Sequence, residues 1–421
     1  MLIRRSSLAA LGLLASLVGC SESTVSEPLD MARPTTDSGP TPAADLGMPV
    51  PEGGEPLEPL SFEVPEDGSS IVMKSTMPTG IEHADIYLLV DTTASLREEL
   101  ELLQRSIVGP SGLVARLREE IPDSRIGLGT FADYGVTPYG STADGDTAYT
   151  HRVDPTDDIA ALEAAVGALE LGNGNDVAES MVPALWSMAT GFGLAGPSGW
   201  TEGRRESSTW GECEAGAQGW PCFRPDAAAL VIVVTDAISH NGPDGLEAYD
   251  DAMLGAAPPT WEATRVALES LGARVLFVTT DADGEATAMA RTLATETGAV
   301  DDSGMPLVFP TSPRGPADIE PLVAGVTTLA NRSYRMTLRL VTTEGSSLPQ
   351  LVDSFAAGPA DPALGCSAFT EGALVGPGRE LCVELSATLD ETIARGSYIG
   401  WLELLGDGRR LAARPIRIRV P

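Results

Sequence analysis

The stretch Asp91-Thr92-Thr93-Ala94-Ser95 follows directly on the apolar run Ile86-Tyr87-Leu88-Leu89-Val90. A carboxylate ending a buried strand, with hydroxyls two and four residues later, presents one charged and two neutral oxygens at the carboxyl edge of a sheet. Oxygen-only sets of this kind hold hard divalent cations. A second Asp, Asp236, ends the apolar run Leu230 to Thr235, which brings another carboxylate to the same edge. Singly, each residue has an ordinary use: Thr93 or Ser95 as a helix cap, Asp236 in a turn. The chemistry lies in the combination and its placement.

Positioning such a set requires a parallel sheet, and the chain reads as one from about Ala84 to Ala330. Strand-like runs at Ile86 to Val90, Ile126 to Phe131, Leu230 to Thr235, Val275 to Thr279 and Leu307 to Phe309 alternate with helical patterns. The latter lie at Glu98 to Val108, Leu113 to Glu120, Asp158 to Leu169, Ala178 to Met188, Pro259 to Leu271, Ala286 to Glu296 and Ile319 to Leu329. This alternation predicts an α/β fold with a doubly wound, mostly parallel sheet and helices on both faces. Ligands in such folds bind beyond the carboxyl ends of the strands, where Asp91 and Asp236 fall.

From about Tyr334 to Val420 the pattern changes to short alternating runs with Gly-rich turns, as at Tyr334 to Val341, Leu381 to Ala387, Tyr398 to Leu405 and Ile416 to Val420. This predicts a small all-β sandwich. Ser61 to Lys74 has the same character, so the sandwich is expected to draw strands from both sides of an inserted α/β domain. Gly191 to Pro225, rich in Gly, Ser, Trp and Glu, reads as a long loop whose Trp200, Trp210 and Trp220 look exposed and suited to partner contact,.

The chain begins with Arg4 and Arg5, an apolar run from Leu8 to Val18 and the box Leu17-Val18-Gly19-Cys20. The run is too short for a membrane span, and small residues before a Cys predict a lipoprotein signal peptide over residues 1–19 with lipid on Cys20. Ser21, where Asp would favour inner-membrane retention, points to the outer membrane of a bacterial envelope. Residues 20–56, rich in Pro, Glu, Asp, Ser and Thr, read as a disordered tether. Beyond it the expected divisions are 57–83 for the first sandwich strands, 84–332 for the α/β domain and 333–421 for the rest of the sandwich. A formal charge of -33 and a pI near 4.3 exclude nucleic acid and anionic lipid as partners, since both demand basic surface. The membrane is then met through the N-terminal lipid only.

With Cys20 lipidated, four cysteines remain. The close spacing within each couple favours Cys213 with Cys222 and Cys366 with Cys382 among the three connectivities open to them,. Each bridge closes a short loop worth roughly 3 kcal/mol by chain entropy. A zinc site is not expected, as there is no Cys-x-x-Cys and His83, His151 and His240 show no ligand spacing,.

Four segments together resemble the von Willebrand factor type A superfamily, and within it the inserted domain of integrin beta subunits. Ile86 to Glu99 resembles the strand and metal-ion-dependent adhesion site; Gly129-Thr130-Phe131-Ala132-Asp133, continuing to Val136-Thr137-Pro138-Tyr139, resembles the next strand and loop. Asn175-Asp176-Val177-Ala178-Glu179-Ser180 and Val233 to His240 resemble the second and third metal loops, in matching order. In integrins this domain is inserted into a β-sandwich called the hybrid domain, which has a disulfide where Cys366 and Cys382 sit.

The resemblance implies a central site of Asp91, Thr93, Ser95 and Glu179, with Asp236 acting through water or next to it, holding Mg2+ or Mn2+. Thr93 stands where Ser is commoner and keeps the hydroxyl. The resemblance further implies flanking sites, suited to Ca2+, at Glu98 and Glu99, where integrins carry a pair of Asp, and at Asp133 and Asp176. At the latter an expected Asn is replaced by Gly174, with Asn173 and Asn175 beside it. The implied function is adhesion, a protein partner completing the metal's coordination with a carboxylate. A structural or assembly factor whose metal only stiffens the domain is the alternative. A metal-dependent hydrolase is weaker still, since no Gly-x-Ser-x-Gly, His-Glu-x-x-His or phosphate loop is found and no His or Lys base stands in the set; the expectation is that the protein is not an enzyme.

Overall fold

The computed structural model describes residues 59–421 except 108–110, 197–200, 215, 280–283, 311–319, 343–345 and 390–391, and the side chains of residues 98, 99, 102 and 103. The signal segment, Cys20, the tether and Trp200 therefore lie outside the described residues, and Glu98 and Glu99 outside the described side chains.

Two strands lead, β1 (Leu60–Glu63) and β2 (Ile71–Pro78). The next stretch contains β3 (His83–Asp91), α1 (Arg97–Ser106), α2 (Leu113–Glu120), β4 (Asp123–Phe131), β5 (Thr150–Thr156), α3 (Ile159–Gly167), β6 (Ala178–Glu179) and α4 (Met181–Thr190). It continues through β7 (Ala228–Val234), β8 (Ile238–Ser239), α5 (Asp251–Leu254), α6 (Trp261–Leu271), β9 (Arg274–Thr279), α7 (Glu285–Glu296), β10 (Val308–Pro310) and α8 (Glu320–Asn331). The last part holds β11 (Tyr334–Thr342), α9 (Leu348–Leu351), β12 (Val352–Ala357), β13 (Leu374–Val375), β14 (Glu380–Ala387), β15 (Gly396–Gly406) and β16 (Arg409–Val420).

The fold is mixed α/β with several sheets, one of them rich in parallel pairs. That sheet has six strands in the order β10-β9-β7-β3-β4-β5, parallel except where β5 meets β4. Strands β3 and β7 lie in its middle, and every residue from Ile86 to Val90 and from Ala228 to Val234 is buried. Being covered on both faces, they run as continuous apolar stretches without alternation. The edge strand β5 reads Thr-His-Arg-Val-Asp-Pro-Thr, and Pro155 is tolerated there because an edge strand has one neighbour only,.

Strands on either side of this region pair with each other. β1 runs parallel to β16 in a five-stranded sheet ordered β1-β16-β15-β11-β13, and β2 is antiparallel to β14 in a three-stranded sheet ordered β12-β14-β2. The two cysteine couples are both bridged, Cys213–Cys222 and Cys366–Cys382. Where the six-stranded sheet meets the others, Arg274 of β9 is fully buried. Its guanidinium donates to the carbonyls of Gly406 and Arg410 and lies 5.0 Å over the Tyr334 ring. Arg410 in turn bonds Glu403 and the Pro225 carbonyl. A buried charge that gave up water needs such partners, and here they tie the sheets into one unit.

Between Gly191 and Pro225 the described chain carries isolated bridges and no helix or longer strand. Trp210 and Trp220 correct the expectation of exposure. Trp220 is 5% exposed, and Trp210 and Trp220 both pack on His151, with Arg204 stacked 5.5 and 5.3 Å from their ring centres. Arg204 also forks onto Asp154. The loop ends at the opposite edge of the sheet from Asp91: Arg224 binds Asp85 and Asp123, at the amino ends of β3 and β4. Trp is amphipathic and large, and with the buried Leu194 and Phe223 these rings fill the loop from within,.

Candidate metal centre

Asp91 is the last residue of β3, and the chain leaves the sheet immediately after it. Its Oδ1 accepts from the backbone N–H of Thr93 at 2.9 Å and from the Thr93 hydroxyl at 2.7 Å, while Oδ2 accepts from Thr235 Oγ1 at 2.7 Å. Thr93 Oγ1 lies 3.3 Å from Ser95 Oγ, and Ser95 Oγ donates to Asp236 Oδ1 at 3.0 Å. Two neighbouring strands thus deliver their terminal loops to one spot. Asp91 and Thr93 form a buried floor, Asp236 is half-buried and Ser95 is exposed. The structure brings four of the five central residues into one chain of contacts.

Glu179 arrives from a third loop. The helical pattern read from Ala178 onward begins only at Met181, because Ala178 and Glu179 form β6, paired in parallel with Ile238 and Ser239 of β8. The Glu179 carbonyl accepts from His240 N and Ser239 Oγ, and the next residue, Ser180, donates its hydroxyl to the carbonyls of Ala132 and Ala148. Glu179 is therefore no solvated helix residue; it is 4% exposed and its Oε2 has no hydrogen-bond partner. Gly174 explains how it fits. A Cβ there would stand 2.9 Å from Glu179 Oε1 and 3.3 Å from Thr93 Cγ2, and its φ is +64°. The carboxylate and the Thr93 side chain thus close on the same glycine.

Electrostatics point the same way. Burial pushes Asp91 up to about 7 in spite of hydrogen bonds from Thr93 and Thr235. Burial, then the negative charges of Asp91, Asp133, Asp176 and Asp146, push Glu179 up to about 10. Carboxylates this costly to ionise are stabilised by a nearby positive charge. An all-oxygen set with an orphaned buried carboxylate oxygen fits a hard divalent cation, which Asp91, Thr93, Ser95, Glu179 and Asp236 would hold.

On the other side of Glu179 stand Asp133, Asp176 and His240. His240 Nε2 is 3.1 Å from Asp176 Oδ2 and 3.4 Å from Asp133 Oδ2. Asp133 is fully buried and pushed up by burial, while Asp176 is exposed. Burial opposes a charge on His240, but hydrogen bonds to Asp133 and Asp176 outweigh it and lift the imidazole to about 10. The amide that the resemblance led one to seek at position 174 is absent because Gly174 has no room for a side chain, and Asn173 and Asn175 are exposed. An imidazole from the third loop stands beside the carboxylates instead.

Sequence reasoning missed three participants. Thr235 supplies a hydroxyl to Asp91; Asp146 accepts from the backbone N–H groups of Ser141, Asn173 and Gly174 and so shapes the second loop; and His240 was set aside for want of ligand spacing. Its position directly after Ile238-Ser239, which pair with Ala178-Glu179, was the available signal, though it is visible only once the pairing is known.

No family model and no curated protein matches the chain. Among solved structures, it is similar over 83% of its length to 45% of the pilus adhesin SpaC from Lactobacillus rhamnosus GG, at 13% identity and a TM-score of 0.32. It is similar over 61% of its length to 48% of proximal thread matrix protein 1 from the mussel byssus, at 14% identity and a TM-score of 0.32. A third similarity joins 83% of the chain to 46% of human COPII-coat protein Sec24c, at 10% identity and a TM-score of 0.35. The chain spans less than half the length of each.

Proposed function

We propose that the chain is an envelope-anchored bacterial lipoprotein that binds a protein partner through a divalent cation held by Asp91, Thr93, Ser95, Glu179 and Asp236. In this reading residues 84–332 form a doubly wound domain of the von Willebrand factor A type, resembling the integrin beta inserted domain, set within a β-sandwich made by 57–83 and 333–421. The observation that carries it is the meeting of a buried floor, Asp91 and Thr93, with an open rim, Ser95 and Asp236, at the carboxyl edge of the sheet. A cation on that floor faces solvent at the rim of Ser95 and Asp236, so a partner's carboxylate can complete its shell. The open rim favours adhesion over a purely stiffening role. Val177, 78% exposed next to Asp176, offers apolar contact beside the same edge.

The test is capture of partners from envelope extracts. Wild-type protein in Mg2+ should retain a partner that EDTA releases and that Asp91→Ala fails to retain. A partner held equally with chelator present makes the metal structural and removes the adhesion reading. The anchor is tested separately: no helix among the described residues is long and apolar enough to cross a membrane, and Cys20→Ser should move the protein out of the membrane fraction. Unchanged mass and fractionation would contradict lipidation.

A further inference from the structure

Away from the carboxyl edge, one imidazole is enclosed on every side. His151, on the edge strand β5, has a side chain with no exposed surface. It stacks on Tyr87 with 5.8 Å between ring centres and packs against Trp210 and Trp220 at 4.6 and 4.7 Å. Its Nδ1 lies 2.8 Å from the Tyr87 hydroxyl, which in turn meets the Tyr149 hydroxyl at 3.0 Å. Its Nε2 is 3.0 Å from Asp154 Oδ1 without an aligned hydrogen bond.

That carboxylate already has a partner. Arg204 donates to Asp154 Oδ1 at 2.8 Å and to Oδ2 at 3.1 Å, and its guanidinium also donates to the carbonyls of Trp210, Gly211 and Trp220. Arg204 thus gathers the loop around itself and fastens it to β5 through Asp154. The other groups facing the imidazole bring no further negative charge. They are Tyr87 of β3 and Tyr149 just before β5, whose hydroxyls burial keeps protonated, and Gly129 of β4, which is paired with His151 and has no side chain. Arg152, next in the strand, is exposed and donates to Thr130. A protonated His151 would therefore set two cations against one carboxylate in a place shut off from solvent, which is costly. In keeping with this, burial holds the imidazole below its ordinary 6.5 although Asp154 pulls the other way.

We infer that His151 is an acid-sensitive latch: a second proton on its ring sets it in competition with Arg204 for Asp154 and releases the chain around Arg204, Trp210 and Trp220 from β5. The Cys213–Cys222 bridge and the Arg224 anchor on Asp85 stay in place, so the release is local. A released imidazole takes its proton near pH 6.5 and the packed one only at lower pH. The packed loop accordingly has its full stability above about 6.5 and loses it as pH falls towards the folded value,. Asp91 and Glu179 act in the opposite sense, since acid stabilises the cation-free chain through them. Their titration cannot imitate the latch.

Hydrogen exchange of the metal-free protein, read by mass spectrometry at pH 8 and pH 5 and corrected for the intrinsic pH dependence of exchange, tests it. Amides of residues 201–224 in the wild type should lose protection by about fivefold or more at pH 5, while those of residues 409–420 in β16 keep theirs. His151→Phe, which preserves a flat ring with no charge to gain, should protect 201–224 equally at both pH values; His151→Gln, neutral and polar, takes its place if the phenyl ring does not pack. Equal protection of the wild-type loop at the two pH values would overturn the latch, and so would a drop that a folded variant retains.

Discussion

At the scale of single residues, Gly174 controls how tightly the loops carrying Thr93 and Glu179 can close. It stands at a left-handed φ with Glu179 Oε1 and Thr93 Cγ2 against it. An alanine there meets both a backbone penalty of about 1–2 kcal/mol and a Cβ that must push the Glu179 carboxylate away. Gly174→Ala should therefore lower the denaturant midpoint and also weaken Mg2+ binding, read by chemical denaturation and calorimetry on the same preparation. A variant with both values unchanged would remove Glu179 from the site as described. Thr93 matters for a related reason. Its hydroxyl is shared between Asp91 and Ser95, and its methyl fills the space that Gly174 leaves. The Asp91, Thr93 and Ser95 set was legible in the sequence because all of its spacing is local. Thr235 and His240 were not, since each acts across more than fifty residues of chain, and Asp146 reaches loop N–H groups up to 28 residues away that only the tertiary fold brings to it.

At the scale of elements, long apolar strands and strongly periodic helices were legible, and short or polar ones were not. Helix α2 runs over Leu113–Glu120, as its pattern predicts, and α3 begins one residue after Asp158 because that side chain accepts from the N–H groups of Ala160 and Ala161. By contrast β5 is polar and lies at an edge, so its sequence lacks the apolar signature of β3 and β7. The two-residue strands β6 and β8 have no period to detect, yet their pairing fixes Glu179 next to the Asp236 loop. The exposed look of the Gly191 to Pro225 loop failed for a physical reason too. Trp210, Trp220, His151 and Arg204 make a satellite core that exists only when β5 is in place. A loop anchored through Arg224 at the amino edge of the sheet is a brace for the fold.

At the scale of the whole molecule, a chain of net charge -33 carries buried carboxylates that resist ionisation, and this couples stability, pH and cation. Asp91 and Glu179 have ordinary values of 3.8 and 4.5 and are raised in the folded chain. Between the ordinary and the raised value the folded chain binds more protons than the unfolded one, so the cation-free protein loses stability as pH rises above about 4. For Asp91 the loss is complete near pH 7, and for Glu179 it continues towards about 10. A divalent ion bound by both reverses the sign of their cost and stabilises the folded state by mass action. The most direct measurement is the shift in melting temperature produced by saturating Mg2+ at pH 5.5 and at pH 8.5, in wild type and in Asp91→Ala. A central cation site predicts a wild-type shift that is larger at pH 8.5 and is abolished in Asp91→Ala. Equal shifts in the two proteins, or a wild-type shift that shrinks as pH rises, would contradict it.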